Sequence, residues 1–211
     1  MTSLNIIPFV LGPIDNNSFI IFDQATKKAA IVDPSFDSLK IMDVAKKNNL
    51  EISQIWCTHA HFDHIAGINE IIPLLSESPE IFLHKDDLSL WNANGGAKLF
   101  GFPFEINHQP THLLGNSENF YFGENRIETK FTPGHTPGHI IYYLPNDDIV
   151  FCGDLIFRNS VGRTDLPGGN HLQLLQSIDQ VIKPLPDQTR LLSGHGPETT
   201  VGFEKKHNPF L

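Results

Sequence analysis

Between Thr58 and His64 the chain reads Thr-His-Ala-His-Phe-Asp-His, which puts His59, His61, Asp63 and His64 within one short segment. Imidazole is the commonest side-chain metal ligand, and carboxylates join it at borderline cations. In an extended segment, residues two apart project to the same side, so His59 and His61 face one point. Asp63 and His64 are adjacent and must diverge as the chain turns. The simplest reading is one cation on the His-x-His pair and a second on the Asp-His pair. A polar loop with surface histidines is the plain alternative. It is the better choice for an isolated His-x-His, and the density of donors here reverses it.

Three further candidates each follow a glycine at the end of an expected strand: Gly134-His135, Gly153-Asp154 and Gly194-His195. Glycine lets the backbone turn tightly into a crowded centre. With the first four, these make five histidines and two aspartates. Such a set of N and O donors suits two borderline cations, with Asp154 bridging because a carboxylate has two oxygens. Zinc is the expected metal, and the same ligands accept iron or manganese. Arg163, in a glycine-rich loop, is a candidate for gripping a substrate carboxylate, with an ion pair to Asp165 as the alternative. His139 is a candidate substrate contact, a support for a ligand, or a packing residue. Phe100, Phe102 and Phe104 line an apolar wall beside the site or form a local cluster. Cys57 and Cys152 read as buried inert thiols.

The elements that must position these residues follow from the apolar pattern. Strands are expected over 4–11, 18–22, 29–33, 52–58 and 81–83, separated by Gly, Pro and Asn turns. The second half repeats the rhythm with strands over 120–122, 126–131, 140–144, 149–152 and 191–192. Helices are expected over 37–49, 65–75, 86–91 and 171–182, and a long loop over 92–111. Strands and helices in both halves predict two packed sheets with helices outside, and residues 1–211 as one domain.

Composition narrows the function classes. The 211 residues carry a formal net charge of -9, from 15 Lys plus Arg against 24 Asp plus Glu. An acidic chain is not expected to bind nucleic acid. No apolar run approaches the roughly 20 residues a membrane helix needs, so no membrane partner is expected. The first apolar run lacks a basic lead and a cleavage pattern, so no secretory signal is expected. Two cysteines cannot build a disulfide framework, and a cytoplasmic location is the expectation. The 11 histidines are the outlying count.

The His-x-His-x-Asp-His run, followed in order by Gly-His135, Gly-Asp154 and Gly-His195, resembles the metallo-β-lactamase fold superfamily over nearly the whole chain. The segment Gly162-Arg163-Thr164-Asp165-Leu166-Pro167-Gly168-Gly169 and the ending Asn208-Pro209-Phe210-Leu211 are similar to its glyoxalase II-like branch, the short bacterial-type hydroxyacylglutathione hydrolases. The resemblance implies an α/β fold, a four-layer αββα sandwich with the metals at one edge. It implies that His59, His61 and His135 hold one metal, that Asp63, His64 and His195 hold the other, and that Asp154 bridges. It also implies hydrolysis of a small-molecule thioester, such as S-lactoylglutathione, by a hydroxide between the metals, with Asp63 orienting it. Full-length glyoxalase II enzymes carry a C-terminal helical extension that grips glutathione. This chain ends soon after His195, so the thioester reading is firmer than the glutathione reading.

Two related activities compete. Persulfide dioxygenases of the same fold share the Gly-Arg-Thr-Asp segment and would use a single Fe(II) on His59, His135 and Asp154. That family usually has Cys where His139 stands, which counts against it. A β-lactamase is expected less, because those enzymes are mostly exported and lack a bridging aspartate like Asp154. A scaffold without activity would tolerate loss of the ligands, and all seven are present.

Overall fold

The computed structural model describes residues 4–211. The expected single domain starts with residues 1–3, which lie outside the described ones. One sheet runs β1 (Asn5–Leu11), β2 (Asn16–Phe22), β3 (Lys28–Val32), β4 (Glu51–Trp56), β5 (Glu80–His84) and β6 (His112–Leu114) in spatial order. Its first three strands are antiparallel, and β3 to β6 are parallel. The second sheet uses β7 (Asn119–Phe122), β8 (Asn125–Phe131), β9 (Ile140–Leu144) and β10 (Ile149–Gly153). After a small ribbon of β11 (Ile156–Phe157) and β12 (Ser160–Val161), it is completed by β13 (Arg190–Ser193) and β14 (Thr199–Thr200). Its spatial order is β14-β13-β10-β9-β8-β7.

Strand periodicity explains the layering. Side chains alternate between the faces of a sheet, so a strand covered on both sides is apolar throughout. In β2 and β3, Phe19, Ile21, Ala30 and Val32 enter the core between the sheets, where they meet Ile140, Tyr142, Ile149 and Phe151 of β9 and β10. The intervening Ile20, Phe22, Ala29 and Ile31 face outward against Ile41 and Ala45 of α1 (Leu39–Lys47). On the other side, Ile141, Tyr143, Val150 and Cys152 face Leu174 of α5 (His171–Ser177) and the π-helical turn Ile178–Ile182 that extends it. Helix, sheet, sheet and helix therefore stack in four layers, as expected.

Several boundaries depart from the sequence expectation for local reasons. The helix expected over 37–49 is trimmed because Asp37 (φ 64°) and Asn49 (φ 54°) take left-handed backbone at its two ends. The helix expected over 65–75 is broken into α2 (Phe62–Ile65), α3 (Ile68–Ile71) and a 3₁₀ turn, Ile72–Leu74. Gly67 N donates to Pro34 O at 2.9 Å, which takes it out of the helical ladder. A side chain at Gly67 would collide with Ser35 and Ser38, so only glycine permits this approach. α2, which the break separates from α3, carries Asp63 and His64. The helix expected over 86–91 is a 3₁₀ turn, Lys85–Asp87, followed by α4 (Leu88–Asn92). The loop over 92–111 contains a kinked 3₁₀ stretch, Asn94–Phe100. The short strands β6, β11, β12 and β14 and the last helix, α6 (Val201–His207), are not among the expected elements. Among the described residues no helix is long and apolar enough to cross a membrane.

Candidate metal centre

Every ligand candidate leaves a strand end on the same rim. Thr58 to His64 follow β4, His135 follows β8, Asp154 follows β10 and His195 follows β13. Ile140 N donates to Thr58 O at 2.9 Å, and Asn17 N to Gly194 O at 2.6 Å, so backbone contacts between the sheets hold the rim together. A Cβ at Gly194 would strike the Asp154 carboxylate and the His64 ring, which is why glycine precedes His195.

Two triads form. His61 Nδ1 and His59 Nε2 approach His135 Nε2 at 2.8 and 3.2 Å. His64 Nε2 and His195 Nε2 lie 3.3 and 3.2 Å from Asp63 Oδ2. Asp154 sits between them. Its Oδ1 is 3.5 Å from His64 Nε2, while its Oδ2 is 3.6 Å from His135 Nε2 and 3.7 Å from His195 Nε2. Donors on a tetrahedral cation with bonds near 2.0–2.1 Å stand about 3.3 Å apart. His64 Nε2 and Asp154 Oδ1 are also buried without a hydrogen-bond partner. Buried polar atoms are normally satisfied. Converging donors and orphaned atoms together fit a site for divalent cations.

The electrostatics of the triads differ. Burial, followed by the neighbouring imidazoles, pushes His59 and His61 well below the ordinary imidazole value. Burial also lowers His135, against the pull of Asp154. In the second triad burial opposes the charged forms, but the charges win. Asp63, Asp154 and Asp33 raise His64, and Asp63 and Asp154 raise His195. His64 and His195 in turn hold Asp63 well below the usual carboxylate range.

Two buried acids that sequence reasoning passed over support the ligands. Asp33 accepts from Thr58 N (2.7 Å) and Thr58 Oγ1 (2.6 Å), and its Oδ2 lies 3.0 Å from His64 Nδ1. Thr58 Oγ1 is 3.0 Å from His59 Nδ1. With Thr58 Oγ1 donating to Asp33, both histidines donate from Nδ1, which leaves Nε2 as the nitrogen aimed at the site. The carboxylate oxygens of Asp33 are thus taken, which makes it a support rather than a ligand. Its position just after β3 was the available signal, the same strand-end rule that picked out Asp154. Asp87 accepts from Ala60 N (2.9 Å), Thr136 Oγ1 (2.8 Å) and Gly138 N (2.6 Å). It clamps the loop of His59 and His61 to the loop of His135. Burial pushes its carboxyl up to about 6, against those three hydrogen bonds. Within Lys85-Asp86-Asp87 it reads in sequence as a solvated helix start, so nothing there pointed to it.

The substrate-contact reading of His139 is corrected. The residue is 0% exposed and lies behind His59, with ring centroids 5.3 Å apart. Its Nδ1 pairs with Thr132 Oγ1 at 2.8 Å, so it packs beneath the site and meets no substrate. Arg163 does line the cavity over the metal centre, but its guanidinium is held by both oxygens of Asp165, at 2.7 and 2.8 Å. Its backbone oxygen accepts from His135 Nδ1 at 2.7 Å. Of the three loop phenylalanines only Phe100 lines the cavity, while Phe102 stacks on Phe36 and Phe104 meets it edge-on. Cys57 and Cys152 are buried and unpaired, and burial pushes both thiols up, Cys152 to about 12.

A family model described as the metallo-beta-lactamase superfamily matches residues 11–195. The chain belongs to this superfamily. It is 38% identical to the probable metallo-hydrolase YqgX of Bacillus subtilis over 211 residues, covering 95% of this chain and 94% of that protein. It is 30% identical to the hydroxyacylglutathione hydrolase GloC of Haemophilus influenzae, covering 99% and 98% of the two chains. Among solved structures it is similar to the BLEG-1 B3 metallo-beta-lactamase at a TM-score of 0.92 and 38% identity, covering 98% of this chain and 99% of that one. It is also similar to TTHA1623 in a di-iron-bound form at a TM-score of 0.87 and 34% identity, covering 97% and 100%. The metallo-beta-lactamase fold and a metallo-hydrolase of this superfamily follow.

Proposed function

We propose that the protein is a metal-dependent hydrolase of small-molecule thioesters, in the manner of a hydroxyacylglutathione hydrolase. The observation that carries this reading is the sharing of one carboxylate, Asp154, between two complete triads at the floor of a cavity. His59, His61 and His135 would hold one divalent cation, Asp63, His64 and His195 the other, with zinc the first candidate and iron the second. When bound, such a pair supplies Lewis acidity and water acidified toward neutrality.

The chain's own residues do the rest. Asp63 and Asp154 are the two carboxylates lining the cavity, and Asp63 is poised to accept a hydrogen bond from the attacking water. Phe62, beside them, adds an apolar ring to the cavity wall. A thiolate leaves unaided because its conjugate acid has a pKa of about 8.5, so a thioester asks less of the site than an unactivated amide does. GloC similarity supports the same substrate class.

A strained lactam amide is the second reading, favoured by the similarity to BLEG-1. The test supplies S-lactoylglutathione, and separately a chromogenic cephalosporin, to metal-replete protein while thiol release and dissolved oxygen are followed. Thiol release without oxygen uptake is expected. Cephalosporin opening without thiol release would move the lactamase reading to first place. Oxygen consumption with a persulfide and iron-loaded protein would establish the dioxygenase instead.

A further inference from the structure

Above the metal centre the cavity is about 330 Å³, and its walls away from the ligands are mostly apolar: Ile14, Phe62, Phe100, Phe157, Val161 and Leu166. Two of these are left open to solvent by the fold, Ile14 at 43% and Phe100 at 42% exposure. Among the described residues lining the cavity, Arg163 is the one basic side chain outside the histidines. It is already neutralised by Asp165, and its guanidinium leans on the Phe100 ring at 5.9 Å from the centroid. The wall therefore presents apolar surface and an occupied arginine. A carboxylate arriving there meets no unpaired positive charge, whereas an apolar group removes Ile14 and Phe100 from water.

We infer that the group flanking the scissile carbonyl in the preferred substrate is apolar, aromatic or branched, and that this wall is the specificity determinant. The inference rests on the thioester reading and deepens it. Asp165 acts as a positioning residue: by pairing with Arg163 it keeps the cation from selecting anionic carriers. An apolar group can sit on the acyl side or on the thiol side of the bond, and matched probes separate the two.

The experiment compares S-phenylacetylglutathione with S-lactoylglutathione, and S-lactoyl benzyl thiol with S-lactoylglutathione, on metal-replete protein. A kcat/KM ratio of about tenfold or more in favour of at least one apolar probe is expected, the size of discrimination an apolar subsite supplies. Leu166→Asp is expected to collapse that ratio, and Asp165→Ala, by freeing Arg163, to shift the comparison of S-lactoyl benzyl thiol with S-lactoylglutathione toward the glutathione thioester. Binding of the product acids gives a readout that needs no turnover. Phenylacetate should bind the metal-loaded protein about tenfold more tightly than lactate, or benzyl thiol more tightly than glutathione. Equal ratios unchanged by Leu166→Asp, or equal binding in both comparisons, would overturn the inference even if thioesters are cleaved. Preferential apolar binding with no thioester cleavage would sink the thioesterase reading and leave the apolar subsite standing.

Discussion

The two triads sit within one carboxylate of each other, yet they are assembled by different means. The first is three imidazoles sealed by packing, and burial keeps His59, His61 and His135 neutral. Its loops are fastened to each other by Asp87. The second is held by charge: Asp63 lies between His64 and His195, with Asp154 and Asp33 beside His64. It is also put together across the two sheets, because His195 pairs as an isolated bridge with Asn16 and its side chain is 27% exposed. Asn17 Nδ2 donates to Ser193 O and Gly196 O at 2.9 and 2.7 Å, which fixes the turn that presents His195. One site is thus built by excluding water and the other by compensating charge. The first should tolerate acid, and the second should compete with protons.

Asp154 is where the comparison is most easily broken, because its carboxylate reaches both triads, Oδ1 toward His64 and Oδ2 toward His135 and His195. Asp154→Ala is expected to weaken both sites and to lower kcat/KM by on the order of a thousandfold or more, with the circular dichroism of the wild type. His61→Ala and His195→Ala should each remove one equivalent of tightly bound metal and leave the other. Metal analysis after dialysis distinguishes these outcomes. Two retained equivalents in Asp154→Ala would mean that the triads do not share a ligand.

The supporting acids sharpen the contrast at smaller cost. Asp33 reaches both triads, directly at His64 and through Thr58 at His59. Asp87 reaches only the loops of the first. Replacing a group that orients a metal ligand typically costs about 10–100-fold in affinity. Asp33→Asn is therefore expected to weaken both sites by roughly that factor, and Asp87→Asn the first alone. Titration against a chelator of known affinity reads the two sites separately. Equal losses at both sites in Asp87→Asn would show that the triads are mechanically coupled.

Much of this architecture was legible because the signals were local. The continuous apolar runs in β2, β3, β9 and β10 mark strands buried on both faces, and the ligand candidates follow strand ends with glycine beside them. What escaped was set by distant partners. The break at Gly67 depends on Pro34 O, so no window around 65–75 contains its cause. The strands β11, β12 and β14 are two residues each, too short for a period to show. His139 follows His135 by four residues, and that proximity in sequence leaves contact, support and packing all open. Its place under His59 is decided by β9, whose first residue, Ile140, docks its N–H on Thr58 O. Asp87 is the clearest case: its three donors come from residues 27 to 51 positions away.

The remaining test is on pH, read as a shift in Tm, and it tests the charge argument itself. In the metal-free protein His64 and His195 hold protons more tightly than free imidazole, because the nearby carboxylates outweigh burial. Folded pKa values above the unfolded ones add stability below the ordinary imidazole value of about 6.5, and that stability is lost as pH rises through the raised values. A cation entering the second triad must displace those protons, at roughly tenfold in affinity per pH unit for each proton displaced. The first triad has no such protons to lose, because burial lowers all three of its imidazoles. The rise in Tm on adding zinc should therefore be larger at pH 8 than at pH 6 for the wild type. The dependence should persist in His61→Ala, which keeps the second triad, and flatten in His195→Ala, which keeps the first. A steeper dependence in His195→Ala would reverse the assignment, making packing rather than charge the acid-sensitive way of holding the metal.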